Sequence, residues 1–104
     1  MTDYLPKTYQ DFQASHPAVA EALDSLAVAV DGVGTLDERA TQLVKLGIAV
    51  GGSSEGSARS HARRALAAGA TPEDLRQVAL LAITTAGFPR AIAALGWIDE
   101  VLDS

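Results

Sequence analysis

The sequence predicts an all-α protein of about six helices, and three observations support this. Apolar residues recur at intervals of three and four, the alternation typical of strands is absent, and proline, glycine or capping residues divide the chain into six segments. With 104 residues and a hydrophobic fraction of 48%, the chain has the size of a single domain, residues 1–104. The predicted helices run from about Pro6 to Ala14, Pro17 to Val30, Thr35 to Val50, Ser53 to Leu66, Leu75 to Ala86 and Pro89 to Leu102.

Start and stop residues define the first three helices. Pro6 and Pro17 stand where proline favours a helix start. The segment Asp31–Gly34 (DGVG) is predicted to be a turn, and Thr35–Glu38 has the form of a capping box, in which the threonine hydroxyl accepts from a free amide while the glutamate reaches back. The third helix is apolar on almost every side (LVKLGIAV), as a buried central helix is, and Gly51–Gly52 ends it.

The later helices carry more apolar surface than one small domain can bury. Gly69 stops the fourth helix, and Thr71–Asp74 (TPED) then supplies an N-cap, a proline in the first turn and two acids. The fifth helix is apolar on every face (VALLAITTAG), so we expect the protein to associate with copies of itself. After the break at Gly87–Pro89, Trp97 and Ile92 of the last helix are candidates for a second contact surface. They lie off its apolar stripe, which consists of Ala91, Ala94, Leu95, Ile98 and Leu102.

Composition excludes several classes of function. The sequence contains no cysteine, which rules out disulfides, thiolate metal sites and thiol catalysis. Its formal net charge of -5 argues against a nucleic-acid partner, because phosphate binding needs a basic face and Arg59, Arg63 and Arg64 form too small a cluster. No metal site is predicted, because His16 and His61 each lack a second ligand at helical spacing. No apolar run reaches the roughly 18 residues of a membrane span, and the opening MTDYLPKTYQ lacks the order of a secretory signal, so we expect no membrane partner and a cytoplasmic location.

A row of two hydroxyls and one imidazole is the main candidate site. Ser54, Ser57 and His61 are spaced three and then four residues apart, which places them on one stripe of the fourth helix. Alanines share that side, and a histidine among methyl groups suits proton transfer near neutral pH. A structural interpretation stays open, in which His61 is a hydrogen-bonded interior residue, the serines cap the helix and the arginines are solvated. A Ser-His-acid triad is not expected, because the sequence has no GxSxG-type elbow.

The stretch His61–Thr71 (HARRALAAGAT) and the segment after it (PEDLRQVALLAITTAGFPRAIAALGWIDEV) are similar to a known family. An H-x-R-x-A-L-x-x-G-x-T stretch, an acidic helix start, a long apolar helix and a G-x-P-x-A break resemble the carboxymuconolactone decarboxylase family, which includes the alkylhydroperoxidase-D-like proteins. The resemblance is strongest over residues 36–102. It implies an alkylhydroperoxidase-D-like helical bundle that assembles into homotrimers or homohexamers, with active sites near the subunit contacts.

The peroxidase-like members of that family use chemistry that this chain lacks. They reduce peroxides with a C-x-x-C-x-x-x-H motif and an upstream glutamate, and the matching positions here are Ser54, Ser57, His61 and Gln42. A serine hydroxyl cannot form a sulfenic acid or a disulfide, and Gln42 cannot relay a proton as a carboxylate would. Thiol peroxidase activity is therefore excluded for this chain, even where a family label reads peroxidase or peroxiredoxin.

The decarboxylase-like members lack the cysteine pair and keep the H-x-R pattern, which is His61 and Arg63 here. The resemblance implies a lyase-type enzyme that acts without a cofactor on a small carboxylic acid or lactone. In this hypothesis His61 is catalytic, and Arg63 or Arg64 holds the carboxylate. Ser54 and Ser57 complete the predicted substrate site, at a helix start whose amides suit an anion.

Two departures from the family pattern keep a second hypothesis open. Those enzymes carry a tyrosine where this chain has Thr85, so we do not expect the same substrate. Gln42 is likewise neutral where an ionisable residue would stand. The alternative is a non-catalytic relative that keeps the fold and binds a ligand or a partner.

Overall fold

A computed structural model describes residues 5–104 and confirms the all-α prediction, since every regular element in this range is helical. The chain divides into two compact units, of which the first ends at Thr35 and the second comprises Leu36–Ser104. None of the helices in the described range combines the length and the apolar composition that a membrane crossing needs. The helices are α1 (Lys7–Ser15), α2 (Pro17–Val33), α3 (Glu38–Gly51), α4 (Glu55–Ala67), α5 (Pro72–Leu81) and α6 (Phe88–Asp103), with a 3₁₀ turn at Ala82–Thr84.

In the first unit, α1 and α2 contact each other, and Pro17 occupies the first turn of α2 as predicted. The predicted turn at Asp31–Gly34 is wrong for its first three residues, because α2 continues to Val33. A single glycine such as Gly32 costs only about 1 kcal/mol inside a helix, which is too little to end one. Gly34, in an extended conformation, follows the last turn instead.

The start of α3 differs from the predicted capping box. Asp37, not Thr35, is the N-cap, and its side chain accepts a hydrogen bond from the Ala40 N–H at 2.8 Å. Aspartate is a better N-cap than threonine, so the intrinsic preference favours the residue that the structure uses, whereas the capping-box pattern favours Thr35. The shift leaves Glu38 at the first helical position, with its carboxylate available for a contact one turn later.

The turn between α3 and α4 is closed by backbone hydrogen bonds. The Ser53 N–H donates to the Val50 carbonyl at 3.0 Å, and the Ser54 N–H donates to the Ala49 carbonyl at 2.8 Å. This pair of bonds is a Schellman motif, and Ser53 adopts the left-handed conformation that the motif requires, with a φ of 55°. Arg90 Nε also donates to Ser53 Oγ at 3.0 Å, which ties the turn to α6. The beginning of α4 is therefore held in a defined place relative to the end of α3.

The capping residues predicted for the fifth helix are confirmed. The Asp74 N–H donates to Thr71 Oγ1 at 3.1 Å, and the Thr71 N–H donates to Asp74 Oδ2 at 2.9 Å. The second bond stabilises the carboxylate and lowers the pKa of Asp74 below its ordinary value. Pro72 is the first residue of α5, so the helix begins earlier than the predicted Leu75.

The prediction that the fifth helix extends to Ala86 is wrong. α5 ends at Leu81 and tightens into the 3₁₀ turn, because the Ala82 carbonyl accepts hydrogen bonds from the N–H groups of residues 85–87 at 2.8–3.2 Å. Gly87 then adopts a φ of 106°, which a residue with a side chain rarely does, and precedes α6. The apolar periodicity continues through this segment, so the pattern alone carries no signal for the break.

The core of the second unit lies among α3, α4, α5 and α6 and consists mainly of alanine. Nine of the fourteen residues in the buried cluster are alanine, so the helices pack closely and only a few large side chains fill the interior. The largest fully buried side chains are Leu46, Leu75, Ile98 and Val50. The predicted stripe of α6 faces this core: Ala91, Ala94 and Ile98 are buried, and Leu95 and Leu102 pack against the cluster.

The predicted burial of the third helix holds for one face only. Leu46 and Ala49 are buried, whereas Val44 and Ile48 on the opposite side are exposed. Of the two candidates for a second contact surface, Trp97 packs against the core and Ile92 is exposed. Considerable apolar surface therefore remains uncovered on the second unit.

Candidate functional site

His61 lines an open pocket of about 350 Å³ formed by α3, the turn after it and α4. Three alanines of α4, at positions 58, 62 and 65, are buried in the core, and their small side chains let α4 lie close to α3. His61 stands at the edge of this buried face and is half-buried. The helix thus places the imidazole between the protein interior and the pocket.

The predicted stripe of hydroxyls and imidazole is present in the structure. Ser54, Ser57 and His61 all line the same pocket. The hypothesis that the serines cap the helix is wrong for Ser54, which occupies the N-cap position but makes no side-chain capping bond. Ser54 and Ser57 both line the pocket, so the N-terminal end of α4 adjoins it.

The arginines predicted to hold a substrate carboxylate do not line this pocket. Arg63 is half-buried and Arg64 is exposed, and neither contributes to the lining that includes His61. The spacing of two residues turns Arg63 away from His61 on an α-helix. Arg64, three residues after His61, lies nearer the same side but is exposed to solvent outside the pocket. Their role in substrate binding stays a prediction without support from the pocket.

The cation that lines the pocket is Lys45, which is not among the site residues predicted above. Lys45 is half-buried and lines the pocket together with His61. The sequence does contain a signal for the position of Lys45. Lys45 is the only charged residue in the apolar run LVKLGIAV, and it follows Gln42 by three residues and precedes Ala49 by four, a spacing that places all three on one face of α3.

Two side chains of α3 form a chain of hydrogen bonds that ends at the imidazole of His61. His61 Nδ1 lies 2.7 Å from Gln42 Oε1, and Gln42 Nε2 donates to Glu38 Oε1 at 2.8 Å. Gln42 is only 3% exposed, so its amide depends on these protein partners. The capping-box pattern predicts a different role for Glu38, but its spacing of four residues from Gln42 is a signal for this contact.

The chain of contacts determines which imidazole nitrogen carries the hydrogen. A carboxylate only accepts, so the amide group of Gln42 turns its NH₂ toward Glu38 and its oxygen toward His61. That oxygen also only accepts, so the His61 Nδ1 is the donor. In the neutral ring the lone pair is then on Nε2.

Arg59, also on α4, has a structural role. It donates to Glu55 at 2.6 Å and to Glu100 of α6 at 2.6 and 2.9 Å. The hydrogen bond to Glu55, supported by Glu100, raises the pKa of Arg59 above its ordinary value. The interpretation of Arg59 as a plain surface charge is therefore incomplete, because it connects two helices. Within residues 5–104, no three His, Asp or Glu side chains group together to hold a metal ion.

Comparison with known proteins identifies the family. A family model described as "Carboxymuconolactone decarboxylase family" matches residues 17–100. The chain belongs to the carboxymuconolactone decarboxylase family. It is a carboxymuconolactone decarboxylase-like or related alkylhydroperoxidase-like protein, and its cysteine-free sequence lacks the redox pair of the latter. Searches among curated proteins and among solved structures find no match.

Thr85, the second departure from the family pattern, lies outside the His61 pocket. Its Oγ1 donates to the Leu81 carbonyl at 2.9 Å, and the residue lines a separate apolar groove of about 460 Å³. Ile48 lines both the groove and the His61 pocket. The groove and the pocket of this carboxymuconolactone decarboxylase family member are therefore neighbours on the surface of α3.

Proposed function

We propose that this protein is a cofactor-free enzyme that transfers a proton on a small carboxylic acid or lactone, with His61 as the catalytic acid or base. The observation that carries the proposal is the half-buried imidazole of His61, held by Gln42 in a pocket that also contains Lys45. Nothing in this arrangement requires a thiol, and a base whose lone pair is on Nε2 suits proton abstraction next to a carbonyl group.

In the proposed reaction, Lys45 and the N–H groups at the start of α4 bind the carboxylate. An ammonium group and a helix N-terminus both favour an anion. His61 Nε2 takes a proton from the carbon next to the carbonyl, and the electron pair of that C–H bond moves into an enolate. The imidazolium then returns the proton to a carbon of the enolate. In a decarboxylation, His61 reacts as the imidazolium, with a proton taken up from water on Nε2. The C–C bond to the carboxylate breaks, its electron pair moves into an enolate, CO₂ leaves, and Nε2 gives its proton to the enolate carbon.

Deuterium exchange tests this function without knowledge of the natural substrate. The protein is incubated in D₂O with a panel of small oxo acids and unsaturated lactone acids, and ¹H NMR follows the C–H signals next to the carbonyl group and any loss of CO₂. We expect at least one acid to exchange faster with the protein than in buffer. An acid that shifts the amide signals of Ser57 and Lys45 but does not exchange would contradict the proposal.

That second result would support the other candidate, a non-catalytic relative that binds a small carboxylate. The neutral side chains of Gln42 and Thr85 favour it, because ionisable residues are expected at these positions in the catalytic relatives. Binding without exchange separates this candidate from the enzyme.

We also propose that the protein is a homo-oligomer, a homotrimer or a homohexamer. The support is the apolar groove between α3 and the end of α5, whose rim includes the exposed Val44, Ile48 and Leu81. A small soluble protein seldom leaves such a surface open to water. A second copy seated on the groove would reach the edge of the His61 pocket, because Ile48 lines both.

Ile48→Glu is expected to convert the oligomer into a monomer. Ile48 is 69% exposed in the single chain, so a glutamate costs little there, but a carboxylate buried against a second copy costs several kcal/mol. Sedimentation velocity at micromolar concentration measures the change. Val28→Glu, at an equally exposed valine of α2, is the control and should leave the assembly intact. A wild-type protein that sediments as a monomer would contradict the proposal.

A further inference from the structure

We propose that Glu38 is a positioning residue that acts through Gln42 to hold His61 in the tautomer with hydrogen on Nδ1. This proposal adds to the function proposed above, and the proton-transfer role of His61 rests on that function. The tautomer of His61 itself does not depend on any substrate. It rests on two contacts, 2.8 Å between Glu38 Oε1 and Gln42 Nε2 and 2.7 Å between Gln42 Oε1 and His61 Nδ1.

The first step is the orientation of the Gln42 amide. If the amide turned over, its oxygen would face the carboxylate oxygen of Glu38, and two acceptors would meet at hydrogen-bond distance. Glu38 is exposed and could turn into solvent, but Gln42 is buried, so water could not satisfy the amide group that the turn would leave without its partner. Glu38 therefore selects one of the two orientations of the amide.

The second step is the transfer of this choice to the imidazole. In the selected orientation the amide oxygen faces His61 Nδ1, and the bond forms only when Nδ1 carries a hydrogen. The other neutral tautomer would place the Nδ1 lone pair against the oxygen lone pairs. The Glu38 carboxylate in the first turn of α3 therefore determines the tautomer of the His61 ring on α4, and Nε2 becomes the basic atom.

The role of Glu38 as a helix cap does not account for this geometry. Asp37 is the N-cap of α3, and its side chain makes the capping bond to Ala40 N–H. Glu38 also places a negative charge in the first turn of α3, where its interaction with the helix dipole stabilises the helix. A test must therefore separate the dipole contribution from the orientation of Gln42.

Glu38→Lys provides that separation, because lysine only donates. An ammonium group at this position favours the amide oxygen, so the NH₂ of Gln42 would face His61 and the hydrogen of the ring would move to Nε2. Long-range ¹H–¹⁵N NMR of the imidazole at about pH 8, above the ordinary pKa of histidine, distinguishes the two tautomers. We expect a pyrrole-like ¹⁵Nδ1 signal in the wild type and a pyridine-like one in Glu38→Lys. His16, the only other histidine, is exposed and serves as an internal reference.

Two further variants control for folding and helix electrostatics. Glu73→Lys makes the same change in the first turn of α5 and should leave the His61 signals unchanged. Glu38→Gln can either accept from Gln42 or donate to it, so it removes the selection and should give a mixture of both tautomers, a readout that remains if Glu38→Lys unfolds α3. A wild-type His61 with hydrogen on Nε2, or a folded Glu38→Lys protein with the wild-type signal, would overturn the proposal. If the variants change the tautomer of His61 as expected but the wild-type protein catalyses no deuterium exchange, this inference stands and the proposed function is wrong.

Discussion

Replacing His61 with glutamine should reduce the rate of deuterium exchange into a bound carboxylic acid by about 10²–10⁴-fold, the usual contribution of a general acid or base. Glutamine has no group that exchanges protons with a carbon acid near neutral pH. Its side-chain NH₂ can still donate to the Gln42 oxygen, so the buried amide keeps a partner. The measurement is ¹H NMR exchange at saturating acid, so that binding and proton transfer are separated.

Lys45→Met is the matched variant for this experiment, because Lys45 lines the same pocket but has no part in the proton transfer itself. A charge-assisted hydrogen bond contributes about 1.5–3 kcal/mol, so losing it should weaken binding of the acid by about 10- to 100-fold. The exchange rate of the bound acid should change much less. If His61→Gln exchanges like the wild type, or if it unfolds while conservative variants of neighbouring residues do not, the imidazole has a packing role and the enzymatic proposal is wrong.

Leu75→Ala should lower the free energy of unfolding by about 2–5 kcal/mol, the range for truncation of a fully buried leucine. Leu75 is 0% exposed and is one of only four large side chains that are completely buried in the second unit. The surrounding residues are mainly alanines on closely packed helices, which have little freedom to fill the cavity. The expected loss is a large share of the about 5–15 kcal/mol that stabilises an ordinary domain.

Urea denaturation followed by circular dichroism measures this loss, with Leu80→Ala as the control. Leu80 lies on the same helix, and its replacement by alanine removes the same atoms, but its side chain is 45% exposed. We expect the control to lose less than about 1 kcal/mol, since truncation of a surface side chain leaves no cavity. Equal losses in the two variants would show that α5 is not anchored by its buried face.

The fold was predictable because its signals are local. Thr71 and Asp74 form a capping box from residues three apart, and Pro17 and Gly69 mark a helix start and a helix end by their backbone preferences alone. The errors in helix bounds have the same local origin. The capping-box pattern with Glu38 favours Thr35 as the N-cap, whereas the intrinsic preference of aspartate favours Asp37, which the structure uses.

The candidate site was predictable in part. The helical spacing of Ser54, Ser57 and His61 follows from one segment of chain, and the structure places all three on one pocket. Lys45 and Glu38 lie 16 and 23 residues before His61, on a different helix. Their proximity to the imidazole depends on the register between α3 and α4, which no spacing within one segment encodes.

Composition and periodicity are properties of single segments, so the order of residues alone predicts a helical protein without thiol chemistry and a histidine that shares one helical stripe with two serines. The hydrogen-bond partner of that histidine depends on the way the helices pack against each other. The close packing of the alanine-rich α4 against α3 brings Gln42 to 2.7 Å from His61, excludes Arg63 and Arg64 from the pocket lining and puts Lys45 there in their place. Hydrogen bonds act over less than one helix diameter, so the pairing of side chains follows the docking of the helices.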